Sequence, residues 1–171
     1  MSSGCAGGGP RSMRFTKMDD PVKGVGFVAI YFAYLEDELD ELLGQSGHLF
    51  TLPDKIDRWK FRDKAKWLQK QLRTTFDTYA YLHSDEERAR AESILTACRE
   101  AALKRNDIVH LPIFGDRKGG AMQKDLSGKM RPLDVAKIYR FAEHVFDLGG
   151  AVYGLHFVIS RLLKARETVA S

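Results

Sequence analysis

Apolar residues recur at intervals of three and four along four long stretches of the chain. On an α-helix that spacing puts them on one side, so each stretch reads as a helix with a single buried stripe. The first stripe is Val28, Phe32, Leu35, Leu39 and Leu42. Asp20 followed by Pro21 marks its start, because a carboxylate can accept from the free N–H groups and proline suits the first helical position. Gly44 and Gly47 mark its end. The second stripe, Ile56, Phe61, Ala65, Leu68, Leu72, Phe76 and Tyr79, predicts a helix from just after Pro53 to about Leu82, with Trp59 and Trp67 off the stripe. In the third, Ala91, Ile94, Leu95, Cys98, Ala101, Ala102, Ile108 and Val109 line up. Ser84 with Glu87 forms a capping box before it, and Pro112 forces it to end by Leu111. The fourth carries Ile138, Phe141, Val145, Leu148, Val152, Leu155, Ile159 and Leu162, from near Pro132 to about Ala165. Gly149, Gly150 and Gly154 weaken it, which implies a kink or an unusually close neighbouring helix.

No stretch shows strand-like alternation, so the expected fold is all-α: an antiparallel four-helix bundle forming one domain over residues 19–171. Residues 1–18 are rich in glycine and serine at their start and read as a disordered tail. Residues 112–132 carry no stripe and read as a long, irregular, mobile basic flap between helices three and four, where Gly119-Gly120 permits a hairpin turn.

Composition narrows the classes. The chain has 171 residues, 44% of them hydrophobic, enough to build one core. Two cysteines make no disulfide framework; Cys98 lies on an apolar stripe and reads as a small core residue, and a reducing, cytoplasmic compartment is expected. The most apolar run, Val25 to Leu35, is about half of a membrane span, so no membrane partner is expected. The first residues lack the apolar run of a signal peptide. A formal net charge of +4 favours anionic partners.

That charge is unevenly placed. Glu36, Asp37, Glu38, Asp40 and Glu41 crowd the second half of helix one. They are expected to face solvent, or to supply a partner for Arg105 or for the basic second helix. Helix two carries Lys55, Arg58, Lys60, Arg62, Lys64, Lys66, Lys70 and Arg73. Basic side chains interleaved with aromatic ones suit a nucleic-acid backbone with bases stacked beside it. The candidate RNA contacts are Arg62, Lys66 and Lys70, with Arg117, Lys118 and Lys124 of the flap.

One position breaks the pattern of helix three. Arg105 falls near the centre of the apolar stripe. A guanidinium does not lose its charge in a protein, so it must meet a carboxylate there or line a cleft that admits an anion. Asn106 and His110, four apart, share a face beside it. His110 sits in the last turn and is a residue type that titrates near neutrality. His48, His83, His144 and His156 are scattered, with loop, surface or core-edge roles expected. The chain shows no Cys/His metal spacing, P-loop, GxSxG or dinucleotide fingerprint, so neither a metal nor a cofactor is expected.

The string Arg105-Asn106-Asp107-Ile108-Val109-His110 resembles the signature of the HEPN domain superfamily (higher eukaryotes and prokaryotes nucleotide-binding). It has R-x4-H late on a third helix, with a polar residue directly after the arginine. The resemblance covers roughly residues 21–167. It implies a helical bundle that forms a homodimer with the two motifs facing one another. In many members it also implies a metal-independent endoribonuclease, here a toxin or defence component acting on RNA, with a protein antitoxin as partner. On that reading His110 moves the proton of the 2′-OH, Arg105 holds the phosphoryl oxygens and Asn106 orients one or the other. The product would be a 2′,3′-cyclic phosphate. The alternative is a catalytically silent bundle that acts as a protein- or nucleotide-binding module.

Overall fold

The computed structural model describes residues 20–115, 120–125 and 127–170. The expected tail, with Cys5, and the candidate contacts Arg117 and Lys118 lie outside the described residues. Four helices dominate: α1 Pro21–Ser46, α2 Phe61–Thr78, α3 Asp85–Val109 and α4 Val135–Ala170. Between α3 and α4 stand three short strands, β1 Ile113–Gly115, β2 Ala121–Lys124 and β3 Met130–Pro132. The protein is mostly helical, as the stripes predict, and a small sheet is added to it.

The caps read from the sequence are in place. Asp20 Oδ1 accepts from the N–H groups of Val22 and Lys23 at 2.9 and 3.1 Å. Ser84 Oγ accepts from Glu87 N at 3.1 Å while the Glu87 carboxylate takes the N–H of Ser84, so two free donors are satisfied together. Helix two is shorter than expected. Lys55 adopts a left-handed conformation with φ of 58°, and Trp59 and Lys60 are extended, so only a 3-10 turn (Ile56–Arg58) precedes α2. The stripe residue Ile56 packs on the core from that turn. The apolar periodicity was continuous across a break in the backbone.

One hydrophobic core draws on all four helices and contains every stripe residue of α1 and α4. Val28, Leu35, Leu39 and Leu42 are fully shielded from water, and burial of such a side chain stabilises by about 1.5–3 kcal/mol. α1 packs mainly on α4 and α2 mainly on α3. Gly24 lets the first pair approach: a Cβ there would sit 3.1 Å from Tyr139 Cε2, and Tyr139 donates to Asp20 O at 3.0 Å. At the other end Gln45 donates to Ser160 Oγ at 2.9 Å. The two helices therefore run in the same direction. α3 opposes both neighbours: Gln69 meets Thr96 and Asp77 meets Arg88, while Glu87 meets Arg161 and Lys104 lies over Phe141. The expected all-antiparallel order is corrected for α1, which runs in the same direction as both α4 and α2: Phe32 meets Phe61 and Asp40 meets Lys64. The long connection over residues 47–60 runs back along the molecule before α2 begins, and helical periodicity holds no information about such a return.

The described residues between 112 and 132 are corrected as well. In place of an irregular flap, β1, β2 and β3 form an antiparallel meander with Phe114 opposite Met122 and Gln123 opposite Arg131. Strands this short are invisible to a search for alternation. The second reversal rests on turn chemistry: Asp125 Oδ1 accepts from Ser127 N, Ser127 Oγ and Lys129 N, and Gly128 takes φ of +84°. These hydrogen bonds, Ser127 Oγ first, hold the Asp125 carboxyl below its ordinary range.

Of the two expectations for the glycines of α4, the close neighbouring helix is corrected. The helix continues through Gly149, Gly150 and Gly154, and a Cβ at any of them would meet nothing within 4 Å. No helix packs unusually close there. Cys98 is fully buried, and burial pushes its thiol up to about 12. Among the described residues no helix is long and apolar enough to cross a membrane.

Two outcomes follow from this packing. Lys64 on α2 is only 7% exposed and donates to both oxygens of Asp40 on α1, at 2.6 and 2.8 Å. Asp40→Ala strands that ammonium and should lower stability by about 2 kcal/mol, whereas Lys64→Met should cost clearly less; equal losses in guanidinium unfolding would refute this account. His83 has both ring nitrogens shut from water without partners, edge-on to Phe76. Burial, then the charge of Arg161, lowers its pKa from the ordinary 6.5. A depressed folded pKa means that stability is full above the unfolded value and is lost as pH falls through the folded one. Unfolding free energy should thus decline between about pH 7 and pH 5, and less steeply in His83→Leu; identical slopes for both proteins would contradict it.

Candidate functional site

Arg105 stands on the inward side of α3, half-buried. Its guanidinium lies over the ring of Phe32 from α1, 5.2 Å from the centroid. A delocalised cation over an aromatic face is favourable and needs no carboxylate. Among the described residues none comes within ion-pair distance of it. Nη1 makes one long hydrogen bond to Asn106 Oδ1 at 3.5 Å, and Nε is shut from water with no partner. Phe32 is itself held edge-on to Phe61 at 5.0 Å, so the floor beneath the cation is rigid core.

The group opens into a surface pocket of about 360 Å³ lined by Phe32, Glu36, Phe61, Arg105, Asn106 and the neighbouring cations Lys60 and Arg62. Three positive side chains thus face one carboxylate. Glu36 lies one turn beyond Phe32 on α1. Its pKa is raised: burial is the main cause, Asp40 and Asp37 add to it, and Arg105 and Lys64 oppose it. The Arg105 charge therefore reaches Glu36 without forming an ion pair that would neutralise it. A pocket of this charge and shape can take a phosphate, with the fork of Arg105 presenting parallel donors.

The residues singled out in the sequence are placed as follows. Arg105 and Asn106 share the pocket. His110 caps the C-terminus of α3, its N–H bonded to Asn106 O at 3.1 Å; its ring is exposed and does not line the pocket. Arg62 lines the Arg105 pocket and also an adjoining depression of about 250 Å³ that contains Lys66 and Arg99. Lys66 and Lys70 are exposed, and with Arg62 they follow at intervals of four along α2, one row leading away from the pocket. Lys124 is exposed on β2, on the sheet. Gln123 of that strand donates to Asp107 O at 3.2 Å, so the sheet is fastened to the motif's own helix. Asp107 lies in a separate pocket, again about 360 Å³, with Lys104, Gln123, Arg131 and Lys137.

Sequence reasoning missed Phe32, Phe61 and Lys60. Phe32 and Phe61 read only as stripe residues, and nothing in the spacing showed that a cation would lie on one of them. Lys64, counted there among the basic residues of helix two, is in fact the buried partner of Asp40. No protein-family model, curated protein or solved structure matches the chain.

If Glu36 competes with an anion for Arg105, Glu36→Gln should tighten inorganic phosphate binding by about tenfold, as removal of one nearby like charge implies. Because the Glu36 pKa is raised, the wild-type affinity should also climb as pH falls towards the mildly acidic range, and the variant should show less of that dependence. Titration calorimetry at several pH values checks both; an unchanged affinity in the variant would sink the idea.

Proposed function

We propose that the chain is a HEPN-like, metal-independent endoribonuclease. The observation that supports this best is the Arg105 guanidinium: held over Phe32, not paired with any carboxylate among the described residues, and open to a pocket flanked by Lys60 and Arg62. The substrate is RNA, which carries its own nucleophile beside each phosphate. The 2′-OH oxygen attacks phosphorus, the 5′-oxygen leaves, and a 2′,3′-cyclic phosphate and a 5′-OH result. Arg105 takes the charge that builds on the non-bridging oxygens, where fixed donors aimed at developing charge contribute most. His110 accepts the 2′-OH proton or supplies one to the leaving oxygen. Asn106, beside Arg105, orients the phosphate. Arg62, Lys66 and Lys70 steer the flanking backbone, and salt weakens binding accordingly.

The homodimer belongs to this proposal. His110 is exposed outside its own pocket, so a second copy with its motif facing the first would bring an imidazole to the pocket mouth. A toxin role in the cytoplasm with a protein antitoxin follows from the same resemblance. The second reading is a silent HEPN-like bundle that binds a protein or a nucleotide. It is favoured by one observation: within one chain His110 does not reach the Arg105 pocket.

The test is RNA cleavage in EDTA by the wild type, Arg105→Ala and His110→Ala, each shown to be folded. Each substitution should lower the rate at least about a hundredfold, the usual contribution of a positioned acid–base group or a fixed transition-state donor. Cleavage that survives both changes, or a folded wild type that cuts nothing, would overturn the nuclease reading.

A further inference from the structure

Away from the Arg105 pocket, α1 and α4 bring three metal-ligand side chains together. Glu38 and Glu41 lie three apart on α1, and His156 faces them from α4. One donor atom from each lies within 4.8 Å of the other two. Two of the three residues end in atoms shut from water with no hydrogen-bond partner, Glu38 Oε2 and His156 Nε2. Buried polar atoms are almost always satisfied, so two orphans on residues of one cluster need a reason.

The imidazole is already oriented. Gln45, one turn beyond Glu41, donates through Nε2 to Ser160 Oγ at 2.9 Å and to His156 O at 3.4 Å. Its Oε1 therefore faces His156 Nδ1, at 2.8 Å. An amide oxygen only accepts, so Nδ1 presents its N–H to Gln45 and Nε2 is the nitrogen left to act as a ligand. That nitrogen has no hydrogen-bond partner among the described residues. One ligand atom of His156 lies within 4.8 Å of a carboxylate oxygen of each glutamate. A carbonyl-type oxygen on the far nitrogen is also the usual outer contact of a metal-bound histidine.

We propose that Glu38, Glu41 and His156 bind a divalent first-row transition ion of the Zn2+ class, which clamps the C-terminal half of α1 to α4. One imidazole nitrogen and two carboxylate oxygens suit Zn2+, whereas Mg2+ and Ca2+ prefer oxygen alone. Glu41 is exposed, so solvent can complete the coordination shell. Gln45 is a positioning residue that fixes the ring. The site does not rest on the nuclease reading, and either can fail alone.

The experiment titrates chelator-stripped, dialysed full-length protein with Zn2+ against a chromophoric chelator, and with Co2+ followed by visible absorption. One equivalent should bind. Glu38→Gln, Glu41→Gln and His156→Asn should each weaken binding at least about tenfold, and Gln45→Leu by about 10–100-fold. His156→Asn should also alter the Co2+ spectrum, and Asp37→Asn, an exposed acid on the same helix, should leave both readouts unchanged. Thermal stability of the wild type should rise with Zn2+ concentration. Glu41 is exposed, so its variant keeps the test alive should the others fold poorly. Absence of a stoichiometric site, or wild-type affinity in both Glu41→Gln and His156→Asn, would overturn the proposal.

Discussion

The structure depends on the seam between α1 and α4. Leu35, Leu39 and Leu42 on one helix and Val145, Val152, Leu155 and Ile159 on the other are sealed from water, and both helices run in the same direction along their shared length. A shared direction has a topological cost. Two such helices cannot be consecutive through a short turn, and here the chain inserts the antiparallel pair α2 and α3 and a long return before α2. That return places Lys60 and Phe61 level with Phe32, and this is why one pocket is built from α1, the start of α2 and the end of α3.

Polar groups at this interface are treated in two different ways. Lys64 is buried and fully paired with Asp40, an arrangement that fixes α2 against α1. Arg105 is half-buried and left with an aromatic face, one weak amide contact and an unpartnered Nε. The first satisfies a charge within the fold; the second keeps its charge available to an anion. Glu36 stands between the two, influenced by both cations and by its acidic neighbours Asp37 and Asp40.

Much of this was legible in the residues. The stripes located four helices, and Ser84 with Glu87 and Asp20 with Pro21 fixed two starts to the residue. The position of Arg105 in an apolar stripe was visible because a permanent charge there conflicts with the surrounding pattern. What stayed hidden is non-local. Direction of travel between helices is decided by a connection, and the Ile56 to Phe61 stretch kept helical spacing across a backbone that is not helical. The meander over 113–132 was missed because three- and four-residue strands are too short to show alternation, and their order rests on Asp125 and Gly128. His156 read as a residue beside the seam; its ties to Gln45 and its approach to Glu38 and Glu41 span more than a hundred residues of chain.

Cys98 has a practical consequence. Its sulfur lies in the common core, and burial keeps it a thiol rather than the thiolate that reacts. Alkylating reagents and mild oxidants therefore reach it only when α3 leaves its neighbours. The chain thus carries a native stopwatch: the pace at which that sulfur is modified reports how often the whole assembly comes apart.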